Sequence, residues 1–275
     1  MDKAKLEAQK QWNRDPCGAS DAGDLKEGSL EFFDAVKQYR YYDYAPWMHA
    51  IIGFDRFVRQ KVLEIGPGLG TDLLQFASQG AQTYAVDLSR KHLELTQQNL
   101  GMRGYKVPCL LGDAEGLPFR TGIFDCVYAF GVLHHTPQTE LAVAEIYRVL
   151  RDGGKAIVSL YHRDSAFYWI HTIVLRGILL MGLLRKGYRR LLSEIEVRSG
   201  DSDAVPLVKV YSRKQVLKLF GGFKEVKLQA CHLDYAHFLP LRRVMSLLPD
   251  SIQKRDSIER FGQYFGWYLI VQATK

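Results

Sequence analysis

The sequence feature that most constrains the fold is a glycine-rich turn that joins a short apolar run to a helical pattern, in the stretch VLEIGPGLGTD. Gly66, Gly68 and Gly70 directly follow the run Lys61–Ile65. Glycine lets the backbone approach a ligand closely, and a helix that begins at such a turn presents free amide groups to a ligand. The turn predicts a nucleotide-like ligand, with a tight strand–helix connection as the alternative.

Two aspartates extend this signal. Asp87 ends the next apolar run, 21 residues after Gly66, where its carboxylate can accept both ribose hydroxyls of an adenosine. Asp113, in GDAEGLPF, can accept from the adenine amino group, with Ala114 beside the ring. The dinucleotide fingerprint requires its third glycine at the position of Thr71, so the spacing argues against a dinucleotide. Each aspartate alone could be an ordinary surface residue, but the three signals in order favour adenosine.

Short apolar runs alternate with helical patterns from Lys61 onwards, which is typical of βαβ units and a parallel sheet. The predicted strands are 61–65, 82–86, 107–111, 124–130, 155–161, 224–230 and 267–273. The predicted helices are about 71–79, 90–100, 139–150 and 212–220, the third stopped by the turn 152–154. A last strand so close to the C-terminus suits a sheet finished by an antiparallel pair. The fold class is therefore α/β, a Rossmann-like doubly wound sheet.

The rest of the chain is predicted to cover this sheet. Residues 1–30 are polar and weakly periodic, which suggests a loosely held lead-in, and the aromatic-rich segment that follows completes an N-terminal helical lid over 1–58. Residues 59–275 form the main domain, and insertions at about 163–210 and 236–265 are expected to cap the site. A chain of 275 residues is long enough for such an elaborated domain.

Charge and cysteine content bear on partners and location. The formal net charge is +7, but residues 1–150 carry −3 and residues 151–275 carry +10. The basic half could meet nucleic acid, anionic lipid or an acidic small molecule, or be a solvated face. Four separated cysteines, with no CxxC pair and no secretory segment, predict a cytoplasmic protein without a metal site. The apolar stretch Tyr168–Leu184 is interrupted by His171 and Arg176 and is too short to span a bilayer.

Three segments together resemble the class I S-adenosylmethionine-dependent methyltransferases: VLEIGPGLGTDLLQFASQGAQTYAVDLS, GDAEGLPF and FDCVYAFGVLHHTPQTELAVAEIYRVLRDGGKAIVSLYHR. The resemblance covers about residues 55–162, with weaker echoes at YSRKQVLKLF and WYLIVQATK. It implies S-adenosylmethionine as the cofactor and a seven-stranded sheet whose last strand is antiparallel. The small-molecule and lipid-quinone branch is the more similar. The Asn/Asp-Pro-Pro-Tyr/Phe motif of amino methylases is absent, and no nucleic-acid-binding motif is recognisable.

The cofactor pocket also needs a partner for the methionine moiety. Glu64 is a charged residue inside an apolar strand, so it should be paired, either with the cofactor's ammonium group or with loop amides. The predicted cofactor-binding residues are Glu64, Gly66, Pro67, Gly68, Gly70, Asp72, Asp87, Leu88, Asp113, Ala114 and Phe130. The aromatic faces of Tyr39–Trp47 could attract the sulfonium cation, or the segment could pack the N-terminal helix onto the sheet.

Methyl transfer from a sulfonium requires an aligned nucleophile and, where it carries a proton, a base. His134, His135 and Tyr161 are the candidate catalytic residues because they lie near the carboxyl ends of strands four and five, and histidine exchanges protons near neutral pH. One histidine could instead pack under the cofactor, and Tyr161 or the neighbouring His162 could be packing residues.

These patterns favour methyl transfer to a small-molecule or lipid-linked acceptor, at oxygen or carbon. A non-catalytic cofactor-binding scaffold and a nucleotide-dependent oxidoreductase are the alternatives. The insertion 166–184, followed by four basic residues, is either an interfacial helix on anionic lipid or a buried cap helix with a solvated basic end. The first alternative would give peripheral membrane contact through the basic C-terminal half.

Overall fold

The computed structural model describes residues 2–196, 205–233 and 255–275. Its centre is a seven-stranded sheet in the order β3-β2-β1-β4-β5-β7-β6. The strands are β1 (Lys61–Ile65), β2 (Gln82–Asp87), β3 (Cys109–Leu111), β4 (Phe124–Ala129), β5 (Leu150–Tyr161), β6 (Glu225–Cys231) and β7 (Tyr268–Thr274). Strand β7 is antiparallel to β5 and β6, and the other pairs are parallel. The predicted Rossmann-like sheet with an antiparallel last strand is confirmed.

Helices cover both faces of the sheet. They are α1 (Lys3–Arg14), α2 (Leu30–Gln38), α3 (Met48–Ile52), α4 (Thr71–Ser78), α5 (Arg90–Gly101), α6 (Thr139–Val149), α7 (Gly182–Ser193), α8 (Arg213–Leu219) and α9 (Arg255–Phe265). Alternate residues of β1 serve opposite faces, as the period of a strand requires. Leu63 packs in the core with α6 and α8, whereas Val62 packs with α3 and Phe76 of α4.

The turn predicted at residues 152–154 does not separate a helix from a strand. Helix α6 ends at Val149 and β5 begins at Leu150, so the turn lies within the strand. The pairing of β4 with β5 shifts register there, between Phe124 and Cys126, and Gly153 adopts a positive φ of 75°. The glycines thus accommodate an irregularity in a strand that is longer than predicted.

The expectation of a loosely held lead-in is wrong for residues 3–14. They form α1, which packs against α5 and bonds to the turn after β2. The side chain of Gln9 donates to the carbonyl of Leu88 at 2.9 Å, and the Ser89 hydroxyl donates to Asn13 at 2.8 Å. Polar contacts dock this helix, which is why its sequence lacks a strong apolar periodicity.

The aromatic segment after α2 packs much of its surface into the core. A wide π-helical turn, Tyr39–Tyr44, leads to α3, and Tyr41, Met48 and Phe54 are buried in the cluster on that face of the sheet. This part of the segment therefore holds the N-terminal helices on the sheet, as the packing alternative proposed.

The insertion after β5 forms a helical hairpin, residues 167–193, made of a π-helix (Phe167–Leu179) and α7. The hydroxyls of Tyr168 and Tyr188 lie 3.0 Å apart and join its two arms. In the part of the chain that the structure describes, no helix is both long and apolar enough to cross a membrane. Most of the predicted insertion 236–265 lies outside the described residues, and its last part is α9.

Candidate active site

A cavity of about 590 Å³ lies at the carboxyl edge of the parallel strands. Its wall includes Asp113 after β3, Asp87 at the end of β2, Glu64 in β1, Phe130 after β4 and Tyr161 at the end of β5. Neighbouring strands are about 4.8 Å apart, so the cavity crosses about 19 Å of sheet edge. Its volume is in the range of small-molecule sites.

The glycine turn forms one wall and is shaped by backbone conformation. Gly66 has φ 70° and Gly68 has φ 57°, both in the left-handed region. A Cβ on Gly66 would lie 2.3 Å from Val132, whereas one on Gly68 would meet nothing closer than 3.9 Å. Both glycines and Pro67 line the cavity. The loop can therefore approach a ligand closely.

Gly70 is not in contact with the cavity, although the sequence predicts it to be a cofactor-binding residue. It caps α4 and is not part of the cavity wall. A Cβ there would lie 2.9 Å from Leu100 and 3.1 Å from Thr96, both on α5. A glycine is therefore required at position 70 so that α5 can pack closely on the turn. Gly70 does not line the cavity.

Glu64 is a buried carboxylate in the cavity wall, 3% exposed. Its Oε2 atom has no hydrogen-bond partner among the described residues. Burial, with Asp72 nearby, raises the pKa of Glu64 well above its ordinary value, and Arg40 opposes this. A buried carboxylate of this kind needs a cationic partner. The ammonium group of S-adenosylmethionine fits this requirement.

Asp72, in contrast, is already paired within the protein. It forms an ion pair with Arg40 and accepts hydrogen bonds from the hydroxyls of Tyr41 at 2.6 Å and Tyr128 at 2.7 Å. Burial would raise the pKa of Asp72, but Arg40 and these hydrogen bonds outweigh it and lower the pKa. Asp72 borders the cavity and anchors the turn Tyr39–Tyr44 onto α4. Its contact with the cofactor stays a prediction.

Asp87 and Asp113 lie at the other end of the cavity. Asp87 accepts from the amide of Ser89 at 2.7 Å and lies 3.0 Å from Nδ1 of His92. Asp113 accepts from the amide of Glu115 at 2.9 Å and from Nζ of Lys5 at 2.6 Å. Leu88 and Ala114 complete this part of the wall.

Lys5 was not predicted as a site residue, since it lies in a polar segment far from every motif. It bridges Asp113 and Glu115. Burial alone would lower the pKa of Lys5, but the hydrogen bonds that it donates to these two carboxylates outweigh burial and raise the pKa. Helix α1 therefore covers the Asp113 end of the cavity.

Phe130 lines the cavity, and the side chain of Arg40 lies over its ring. The guanidinium carbon of Arg40 lies 4.8 Å from the ring centroid, a cation–π distance. Tyr39 and Tyr44 line the cavity as well, whereas Tyr41 is buried and the exposed His49 lies off it. The segment Tyr39–Trp47 thus both packs onto the sheet and contributes side chains to the cavity.

The candidate catalytic residues occupy different positions. His134 is fully buried and outside the cavity wall, and burial followed by His135 lowers its pKa well below the ordinary value. His135 and Tyr161 line the cavity. Tyr161 stacks between His134 and Trp267, with ring centroids 3.7 and 4.2 Å away. His134 is therefore not placed to contact a substrate directly.

Glu196 lies in the insertion after β5 and contacts Tyr161 and His135, although no sequence motif indicated it. Its carboxylate accepts a hydrogen bond from the Tyr161 hydroxyl and lies 3.8 Å from Nε2 of His135. It lines the same cavity. His162 lies elsewhere: it is buried, and its Nδ1 is 3.0 Å from the carbonyl of Gly266. His162 therefore packs the sheet edge.

Comparisons with known proteins identify the family to which this chain is similar. The family model described as "Methyltransferase domain" matches residues 63–158. An uncharacterized methyltransferase of Synechocystis sp. is 30% identical over 156 residues, which are 48% of this chain and 72% of that protein. The ubiquinone/menaquinone biosynthesis C-methyltransferase of Cupriavidus metallidurans is 37% identical over 103 residues, 36% of this chain and 42% of that enzyme. The chain thus matches less than half the length of this quinone-methylating relative.

The fold has a solved counterpart over its whole length. Magnesium protoporphyrin IX methyltransferase from Synechocystis, crystallised with bound S-adenosylhomocysteine, aligns with a TM-score of 0.57 at 14% identity, covering 98% of this chain and 99% of that one. The fold, the glycine turn and the acidic residues along the sheet edge define a Rossmann-like nucleoside-binding protein. The chain belongs to the class I S-adenosylmethionine-dependent methyltransferases, and S-adenosylmethionine is the cofactor of that family.

Proposed function

We propose that this chain transfers the methyl group of S-adenosylmethionine to a small-molecule or lipid-linked acceptor, at an oxygen or a carbon atom. The observation that carries the proposal is one continuous cavity. It joins the acidic residues of β1, β2 and β3 to an aromatic end with Tyr161, His135 and Glu196.

The cofactor residues have distinct proposed roles. Glu64 holds the ammonium group, because its Oε2 is buried without a partner among the described residues. Asp87 accepts from the ribose hydroxyls and Asp113 from the adenine amino group, sharing its carboxylate with Lys5 or displacing it. Gly66 and Gly68 let the backbone approach the cofactor. The bound cofactor supplies a methyl group already activated on sulfonium, so the protein mainly positions the acceptor.

The acceptor is proposed to bind at the aromatic end. His135 and Tyr161 contact it there, with Phe130, Trp267 and Tyr268 as apolar walls. A proton released by the acceptor leaves through this cluster, in which Glu196 accepts the Tyr161 hydrogen bond. His134 has no direct contact with the acceptor, since it is fully buried.

A lipid-linked acceptor is supported by the hairpin 167–193. Its inner side contributes Phe167 and His171 to the cavity wall. The hairpin also exposes eight large apolar side chains: Trp169, Val174, Ile178, Leu179, Leu180, Met181, Leu184 and Tyr188. So many exposed apolar side chains in one short segment favour an interaction site. A lipid tail could thus remain at a bilayer while its head group enters the cavity.

The charge next to this surface favours an anionic bilayer. Arg185, Lys186, Arg189 and Arg190 are exposed on α7. Basic residues near an anionic membrane contribute about 1 kcal/mol each. We therefore propose a cytoplasmic protein in peripheral contact with the membrane, which the four free cysteines also suit. We propose a small-molecule or lipid-linked acceptor because of relatives such as the quinone-biosynthesis methyltransferase, and not because of the basic charge.

The experiment that tests the function uses S-adenosylmethionine with a tritiated methyl group. The full chain is incubated with cell extract separated into lipid, polar and nucleic-acid fractions. Label is expected in the lipid or the polar fraction, and Asp87→Ala should reduce it at a limiting concentration of S-adenosylmethionine. Label in the nucleic-acid fraction, or in none although the protein binds the cofactor, would contradict the proposal.

A further inference from the structure

A group of three metal-binding side chains lies beside the proposed acceptor region. His134, His135 and Glu196 each offer one ligand atom, and these atoms all lie within 4.8 Å of one another. We propose that the three residues bind a divalent transition metal ion of the zinc type. The separated cysteines had predicted no metal site, and the proposed ligands include no cysteine.

His134 is the observation that points to a ligand. Its side chain is 0% exposed, and neither ring nitrogen has a hydrogen-bond partner among the described residues. Leaving a buried polar group unpaired is unfavourable. Stacking on Tyr161, at 3.7 Å between centroids, accounts for the ring's packing but satisfies neither nitrogen. A bound metal ion would satisfy one of them.

The other two residues have the supporting contacts that metal ligands usually have. Nδ1 of His135 lies 2.7 Å from the carbonyl of Leu207, so this nitrogen carries the proton and the Nε2 lone pair is free. That Nε2 lies 3.8 Å from Oε2 of Glu196. The other carboxylate oxygen accepts from the Tyr161 hydroxyl. Such outer hydrogen bonds orient the ligands in metal sites.

The ligand types select the class of metal. Two imidazoles and one carboxylate suit Zn²⁺ and related transition metals, whereas Mg²⁺ and Ca²⁺ prefer oxygen ligands alone. Three protein ligands leave at least one coordination position open. Because His135 and Glu196 line the cavity, this position would face the acceptor region and could bind an acceptor oxygen. That last role rests on the proposed function, whereas the binding of the ion does not.

The test measures metal content directly. The full chain, stripped with chelator and dialysed against Zn²⁺, is analysed by mass spectrometry for zinc, and Co²⁺ is added separately as a visible-absorbing probe. One Zn²⁺ per chain and ligand-field absorption of bound Co²⁺ are expected. His134→Asn, His135→Asn and Glu196→Gln should each lose both signals. His171→Asn, which changes another cavity histidine, should retain them.

A milder variant keeps the test informative if a ligand change unfolds the protein. Tyr161→Phe preserves shape but removes the hydrogen bond to Glu196, and it should weaken Zn²⁺ binding by about 10–100-fold. Substoichiometric zinc in the wild type, or equal zinc in all variants, would overturn the metal site. Calorimetric binding of S-adenosylmethionine to the metal-free protein is measured in parallel. If S-adenosylmethionine binds but zinc does not, the metal site alone is rejected. If S-adenosylmethionine does not bind, the proposed function is rejected.

Discussion

At the residue scale, two buried carboxylates 8 positions apart have opposite surroundings. Asp72 is ionised because Arg40 and two tyrosine hydroxyls stabilise its charge. Oε2 of Glu64 has no hydrogen-bond partner among the described residues, and burial raises the pKa of Glu64. The first carboxylate is committed to structure, and the second is available to a cationic ligand.

Glu64 should therefore release a proton when the cofactor binds. The raised pKa favours the protonated carboxyl in the free protein, and the cofactor's ammonium group favours the ionised one. S-adenosylmethionine affinity should accordingly fall as the pH drops through this raised pKa. Calorimetry in two buffers of different ionisation enthalpy measures the released proton. Glu64→Gln should release none and bind about tenfold or more weakly, since a hydrogen bond to a charged group contributes about 1.5–3 kcal/mol. Equal proton release by both proteins would contradict the assignment.

Asp87 is expected to contribute through its charge. Asp87→Ala should weaken S-adenosylmethionine binding by about an order of magnitude or more, because a charged acceptor of two hydroxyls is lost. Asp87→Asn is the matched control for shape, and it should lose less because one acceptor oxygen remains for Ser89 or the ribose. Unchanged calorimetric affinity in Asp87→Ala would refute the ribose contact.

At the element scale, Lys5 links α1 to the expected adenosine end of the cavity through its ion pairs with Asp113 and Glu115. Lys5→Ala would leave Asp113 and Glu115 without their cation, at a cost of about 1–3 kcal/mol. Limited proteolysis within residues 3–14 should become about tenfold faster or more, since cleavage follows the open population. Lys10→Ala is the control, because Lys10 is exposed and pairs only within α1. Equal cleavage rates for the two variants would mean that α1 is held otherwise.

The exposed basic and apolar side chains of the hairpin 167–193 are expected to bind anionic membranes. Arg189→Glu with Arg190→Glu should reduce binding to phosphatidylserine-containing vesicles by about 30-fold or more, since each basic residue near the surface contributes about 1 kcal/mol. Leu179→Ser with Leu184→Ser should also reduce binding, whereas Leu217→Ser, an exposed leucine of α8, should not. Equal sedimentation of all variants with vesicles would remove the membrane proposal.

At the scale of the whole molecule, local patterns sufficed to predict the sheet. Lys61–Ile65 was placed at its observed bounds, because an apolar run followed by glycines is a local signal. The long-range contacts of the site left no such signal. Lys5 meets Asp113 across 108 positions and Glu196 meets Tyr161 across 35, and neither pairing has a sequence motif. The sequence correctly predicts that Gly70 and Asp72 lie where the glycine turn meets α4. It does not predict their contacts, because these are made with α5 and with Arg40, which lie elsewhere in the chain.

We expect the cavity along the carboxyl edge of the sheet to bind S-adenosylmethionine. The most direct measurement is a calorimetric titration of the full chain with S-adenosylmethionine, S-adenosylhomocysteine and NADH. The first two ligands should each bind one molecule per chain, Asp87→Ala should weaken the binding of both, and NADH should neither bind nor displace them. Binding of NADH in their place, or cofactor binding that Asp87→Ala and Glu64→Gln both leave unchanged, would contradict this expectation.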